Sequence, residues 1–155
     1  MESIPVEIGG LTVAVPENEA IVRRLNDEVL NAGNPAAVEG ILDPDHVLYY
    51  PLLPEPMRGA QQWGQTVVNY FTAFPDMKIT IEDMISDRDM VMARWSAIGT
   101  HKGDLLGIPP TNKTVHWSGV GIYRIRNGLI LEQWGMDDQL GLMQRLGVIP
   151  TPGQG

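Results

Sequence analysis

Gly128-Leu129-Ile130-Leu131-Glu132-Gln133-Trp134-Gly135-Met136-Asp137-Asp138-Gln139-Leu140-Gly141-Leu142 is the stretch on which the reading of the chain turns. Its first half alternates as a strand does and its second half opens a short helix, so two adjacent carboxylates stand at the junction. Side chains two apart on a strand share a face, which puts Asp138 with Trp134 and Asp137 on the opposite side. If the Trp134 face lines an apolar pocket, Asp138 is a lone buried acid. A bulge in the strand would exchange the two aspartates.

Working outward, Asn127-Gly128 is a strong hairpin signal, and it ties residues 129–136 to a strand over 113–124. Asp87-Arg88-Asp89 and the turn-rich 103–112 separate two more strands, 78–85 and 90–100. Upstream the pattern is helical. Pro16 opens a helix with Glu17 and Glu19 in its first turn and Ile21, Leu25 and Val29 at spacing four, ending near Gly33. Asn34-Pro35 reads as a cap with proline at the first helical position, opening a short second helix through Val38, Ile41 and Leu42.

Asp43-Pro44-Asp45 is expected to break that helix, with a short strand over 46–50 and a loop set by Pro51, Pro54 and Pro56. From Gly59 a third helix carries Trp63, Val67, Tyr70, Phe71 and Phe74, and Pro75 closes it. Helices followed by a meander of strands predict an α+β domain with helices stacked on one face of a mainly antiparallel sheet. The expected organisation is a lead-in over 1–15 with Gly9-Gly10 as its turn, one domain over 16–149, and a loose tail over 150–155.

The chain has 155 residues, enough to bury a substantial core, and a net charge of -8 that disfavours nucleic acid and anionic lipid surfaces. It has no cysteine, which removes disulfides and thiolate chemistry. No long apolar run and no basic, apolar leader stands in the sequence, so a cytoplasmic protein is the expectation. The region 103–114 lacks the spacing of a phosphate loop, the three histidines lack metal-ligand spacing, and Asp43, Asp45, Asp87 and Asp89 read as turn residues. No metal and no cofactor is expected.

Several local phrases, taken with the order of elements, carry a resemblance: Phe74-Pro75-Asp76, Ile81-Glu82-Asp83-Met84-Ile85, Arg94-Trp95, Gly99-Thr100-His101-Lys102-Gly103, Gly107-Ile108-Pro109-Pro110-Thr111-Asn112-Lys113, Arg124-Ile125-Arg126-Asn127-Gly128 and the opening stretch. Together they resemble the SnoaL-like polyketide cyclases, or ester cyclases, of the nuclear transport factor two-like superfamily. The resemblance implies a cone-shaped α+β barrel, a curved sheet wrapped around helices with one deep apolar cavity. It further implies intramolecular aldol-type ring closure without metal or organic cofactor, a small apolar or aromatic carbonyl substrate, and a homodimer. In the family an aspartate at the end of the last long strand acts as acid and base, and Asp138 sits at the matching spacing. Where many relatives carry a histidine followed by proline, this chain has Tyr50-Pro51, and its nearest histidine is His46.

Each candidate has two readings. Asp138 is either the acid and base or the N-cap of the last helix, and the two predict opposite shifts, since a helix N-terminus favours the carboxylate and an apolar cavity disfavours it. His101, after Gly99-Thr100, is a second catalytic candidate or a satisfied histidine. Arg94 is a cavity donor or a structural ion pair with Glu82 or Glu132. Tyr50, Trp63, Trp117, Tyr123 and Trp134 are an aromatic substrate wall or ordinary core. Two other uses of the same cavity stay open: opening an epoxide to a diol or cyclic ether, and sheltering a ligand without turnover. A carboxylate that merely caps the closing helix would favour the shelter.

Overall fold

The computed structural model describes residues 15–153; the expected lead-in, all but its last residue Val15, and the last two residues of the tail lie outside them. Helix α1, Pro16–Arg24, runs on through a π-helical turn, Leu25–Leu30, and the chain leaves it at Gly33 with φ +60°. Asn34 then caps a short 3-10 turn, Pro35–Val38, its side chain accepting from the Ala36 N–H at 3.2 Å. Strand β1 follows at Leu42–Tyr49, β2 at Met57–Arg58, helix α2 at Ala60–Ala73, strands β3, β4, β5 and β6 at Lys78–Asp87, Met90–Thr100, Thr114–Arg126 and Leu129–Asp137, and helix α3 at Gln139–Leu146. No helix among the described residues is long and apolar enough to cross a membrane.

All six strands form one curved, unclosed sheet in the order β2-β1-β6-β5-β4-β3. The pairs from β3 to β6 are antiparallel, as the turn signals predict, while β1 adds to β6 in parallel. Asp43-Pro44-Asp45 does not end an element as expected. It lies inside β1 as a bulge between the Leu42↔Ile130 and Val47↔Glu132 pairs, with the Asp43 carboxylate accepting from the Asp45 N–H at 2.8 Å. The brief β2, hidden in sequence by three nearby prolines, pairs with the far end of β1.

The core lies on the concave side. On β4 and β5 the odd positions point inward: Val91, Ala93 and Ala97 are buried, as are Val115, Trp117, Tyr123 and Ile125, and Met92, Arg94 and Ile98 point out. Helix α2 presents Trp63 and Val67 to this face, and α1 with its π turn adds Val22, Leu25 and Val29. A second cluster around Phe74, Leu142 and Leu146 closes the end where α3 packs.

Candidate active site

The last strand changes face partway along. Ile130 is fully buried opposite Ile125, but the next β5 residue, Arg124, pairs with Glu132, so Leu131 is an extra residue in β6. A bulge of one residue reverses the alternation beyond it. Gln133, Gly135 and Asp137 therefore line the cavity. Trp134, on the other face, stacks on Tyr49 with ring centroids 5.4 Å apart and lies under the Arg124 guanidinium at 5.9 Å.

The parity that links Asp138 to Trp134 holds, but their face is the outer one. Asp138 is exposed and caps α3, accepting from the Gly141 N–H at 2.9 Å and pairing with Arg145 at 3.2 Å. This corrects the expectation of Asp138 as the buried acid. Arg94 is corrected in the same way: it points to the outer face and pairs with Asp83 rather than with Glu82 or Glu132. His101 is fully buried but lines no part of the cavity. Its Nδ1 meets the Thr111 hydroxyl at 3.1 Å and accepts from the Thr111 N–H at 3.2 Å, and its ring packs on Phe74. That arrangement fastens the 103–112 loop to the end of β4. Replacing Asp138 by Ala should lower stability by about 1 kcal/mol through the lost cap, and Arg94→Ala should cost at most about 1 kcal/mol at so exposed a pair. Both variants should keep parent kcat/KM; a loss of turnover in Asp138→Ala at intact fold would return the chemistry to that residue.

The cavity has a volume of about 720 Å³, a size suited to a small organic ligand. Glycine makes the room. On the inner face of β5 a Cβ at Gly121 would stand 2.5 Å from the Tyr123 hydroxyl, and one at Gly119 would stand 2.8 Å from the Asp137 Cβ. Trp63, Trp117, Tyr123 and Tyr50 all line the wall. Trp63 and Tyr70 are seven apart on α2 with Val67 between, so one helix stripe faces the space.

Asp137 is partly buried, and both its oxygens are engaged from the cavity side. The Tyr50 hydroxyl donates to Oδ1, and Gln139 Nε2 donates to Oδ2 at 2.6 Å and to the Tyr70 hydroxyl at 3.3 Å. Tyr70 accepts in that contact, so its own O–H is free to point at a ligand. Burial, followed by the hydrogen bond to Asp137 and its charge, holds the Tyr50 phenol far above its usual range. Burial and the Asp137 charge push Tyr70 up to about 12. Both therefore stay neutral donors at physiological pH. Asp137 and Gln139 escape a reading by simple alternation, because the bulge at Leu131 is set by the pairing with β5 and leaves no local mark in the sequence.

A family model, SnoaL-like polyketide cyclase, matches residues 20–146. No curated protein matches the chain. Among solved structures, a proposed SnoaL-like polyketide cyclase from a Jannaschia species is similar at 21% identity and TM-score 0.80, over 94% of this chain and 99% of that one. IdmH from Streptomyces antibioticus, a proposed polyketide cyclase, is similar at 27% identity and TM-score 0.74, over 84% of this chain and 99% of that one. AclR from Streptomyces galilaeus, proposed to be a hydroxylase, is similar at 24% identity and TM-score 0.78, over 89% of this chain and 85% of that one. With most of its length matched by the family model and its curved sheet shared with these structures, this chain belongs to the SnoaL-like polyketide cyclase family.

Proposed function

We propose that this chain is a cofactor-independent cyclase that closes a ring in a polyketide-like carbonyl substrate, with Asp137 as its acid and base. Of the two carboxylates on the cavity wall, Asp104 is exposed and accepts from the Gly107 N–H of its own loop, and the observation that carries the reading is the other, Asp137, partly buried with each of its oxygens bonded to a group that also lines the cavity. A carboxylate that only capped the closing helix would favour a ligand shelter, and Asp138 is such a carboxylate. Asp137 meets the requirement in its place.

In the proposed cycle Asp137 takes a proton from the carbon next to a carbonyl, and the electron pair moves onto the carbonyl oxygen as an enolate. The Tyr70 O–H is placed to meet that oxygen. The enolate carbon attacks a second carbonyl of the same molecule, forming a carbon–carbon bond while the π pair of that carbonyl becomes an alkoxide. The alkoxide recovers the proton from Asp137, so the product is an isomer of the substrate and no electron is gained or lost. Folding a flexible chain into the reactive pose is where the aromatic wall contributes, and orientation of this kind is worth on the order of 7–11 kcal/mol.

The test compares two substrates in water enriched in heavy oxygen. A linear diketone should give a ring of unchanged mass, with no more label than an enzyme-free control. Turnover of the matching epoxide alone, with one labelled oxygen added, would replace cyclisation by hydrolysis.

A further inference from the structure

In the proposed cycle the enolate oxygen has Tyr70 to meet it, but the alkoxide that forms on the attacked carbonyl has no donor of its own. Charge that develops in a water-excluded site is best met by a donor already in place. Most donors around Asp137 are engaged. The Tyr50 O–H is held by Asp137, Gln139 Nε2 by Asp137 and Tyr70, and the Thr66 and Thr72 hydroxyls by carbonyls of their own helix. Trp63 is edge-on to the buried His46, and Trp117 packs on Phe74 with ring centroids 5.0 Å apart. Burial alone pushes the pKa of the Tyr123 phenol up to about 12, without the Asp137 charge that reaches Tyr50 and Tyr70, which sets it apart from that carboxylate.

Trp95 is left, on the same rung of the sheet as the acid. It lines the cavity from β4 opposite Gly119 of β5, and Gly119 in turn stands opposite Asp137 of β6. Strands β4 and β6 are roughly 10 Å apart across β5. The indole crosses that gap because Gly119 has no side chain: a Cβ there would collide with Trp95 Cζ2 and stand 2.8 Å from the Asp137 Cβ. Cζ2 is bonded to the carbon that carries Nε1, so the corner of the ring beside its N–H lies over Gly119, next to Asp137. The Trp95 N–H donates to no described residue, yet it is not sealed in. The partnerless side-chain nitrogens that are sealed in belong to His46 and His101, while Trp95 is half-buried on the cavity wall. An indole nitrogen can only donate.

We infer that Trp95 is a further catalytic residue, its indole N–H donating to the oxygen of the carbonyl that the enolate attacks, and that Gly119 is a glycine so that the ring can reach that place. Asp137 and Trp95 then hold the new alkoxide between them, one returning the proton and the other stabilising the charge before the proton arrives. The role rests on the cyclase reading, but the donor itself is a matter of binding and is also tested without turnover.

Replacing Trp95 by benzothienylalanine keeps the shape of the ring and puts sulfur in place of the N–H, a change that a merely structural tryptophan would not register. On the linear diketone it should lower kcat about a hundredfold, the loss of one oxyanion donor, with KM within about threefold. The second arm uses Asp137→Asn, which stands for the protonated acid opposite the alkoxide, with para-nitrophenolate as the oxyanion. The 4 tryptophans each give an indole N–H signal by NMR, and Trp95→Phe identifies the one from Trp95. The phenolate should move this signal downfield as its hydrogen bond becomes charge-assisted, and para-nitroanisole, which has no oxyanion, should not. The assignment is overturned by a benzothienylalanine protein with kcat within about threefold of the parent, or by a loss carried wholly by KM. It is overturned equally by no phenolate binding, or by a downfield shift that is absent, falls on another tryptophan or follows nitroanisole as well. A parent inert toward the diketone, or an Asp137→Asn that keeps its activity, sinks the cyclase reading alone and leaves the indole shift to decide whether Trp95 holds an oxyanion.

Discussion

Asp137→Asn should lower kcat/KM by about a thousandfold, within the range of roughly 10²–10⁴ assigned to a positioned acid–base group. That loss corresponds to about 4 kcal/mol of transition-state stabilisation. The substitution is nearly isosteric, and the Asn carbonyl can still accept from the Tyr50 hydroxyl, so fold and ligand affinity should be retained. What disappears is the capacity to hold a proton between its removal from carbon and its return to the alkoxide. Because both halves of the cycle use the same oxygen pair, the loss should fall on kcat with KM little changed. Tyr50→Phe should be milder, since Gln139 still holds the second oxygen of Asp137 at 2.6 Å. Asp137→Asn with activity within about twofold of the parent would remove Asp137 from the mechanism.

The contrast with Asp138 shows how far a sequence can be read. The helices were legible because their signals are local: Pro16 with its acidic first turn, Asn34-Pro35 as cap and first residue, and the apolar stripe from Trp63 to Tyr70. The hairpin at Asn127-Gly128 was legible for the same reason, with both residues at positive φ. The bulge at Leu131 was not, because it depends on which β5 residue each β6 residue meets. Nothing in Ile130-Leu131-Glu132 says that one of the three goes unpaired. One extra residue then moved the inward face from Trp134 and Asp138 to Gln133, Gly135 and Asp137. Arg94 failed on a similar point. An arginine between apolar neighbours looks like a buried donor until the sheet has one solvated face, on which Met92 and Ile98 are also exposed. Tyr50, Trp63, Trp117 and Tyr123 stand on the cavity wall because aromatic residues of inward parity have nowhere else to go.

His46→Phe should make the fold less sensitive to acid. His46 is fully buried, and burial outweighs the nearby Gln133 amide and the Asp43 charge, lowering its pKa from 6.5 to about 4. At neutral pH the ring is uncharged in both the folded and the unfolded chain and contributes no pH dependence. Below about 6.5 the unfolded chain takes up a proton that the folded chain refuses until about 4, so unfolding is favoured as pH falls through that window. A depression of this size corresponds to about 3 kcal/mol at the acid end, at 1.36 kcal/mol per pH unit. Phenylalanine keeps an aromatic edge toward Trp63 and cannot take the proton. Exchanging an unpartnered polar ring for an apolar one of similar shape should also cost little at pH 7, within about 1 kcal/mol. Urea unfolding at a series of pH values separates this effect from the acid response of the carboxylates, which both proteins share. The two stability curves should run together above pH 7 and diverge between about 6.5 and 4, the parent falling faster. Curves that stay parallel through that interval would mean that water or a partner reaches His46, and that the floor of the cavity behind Gln133 is not dry.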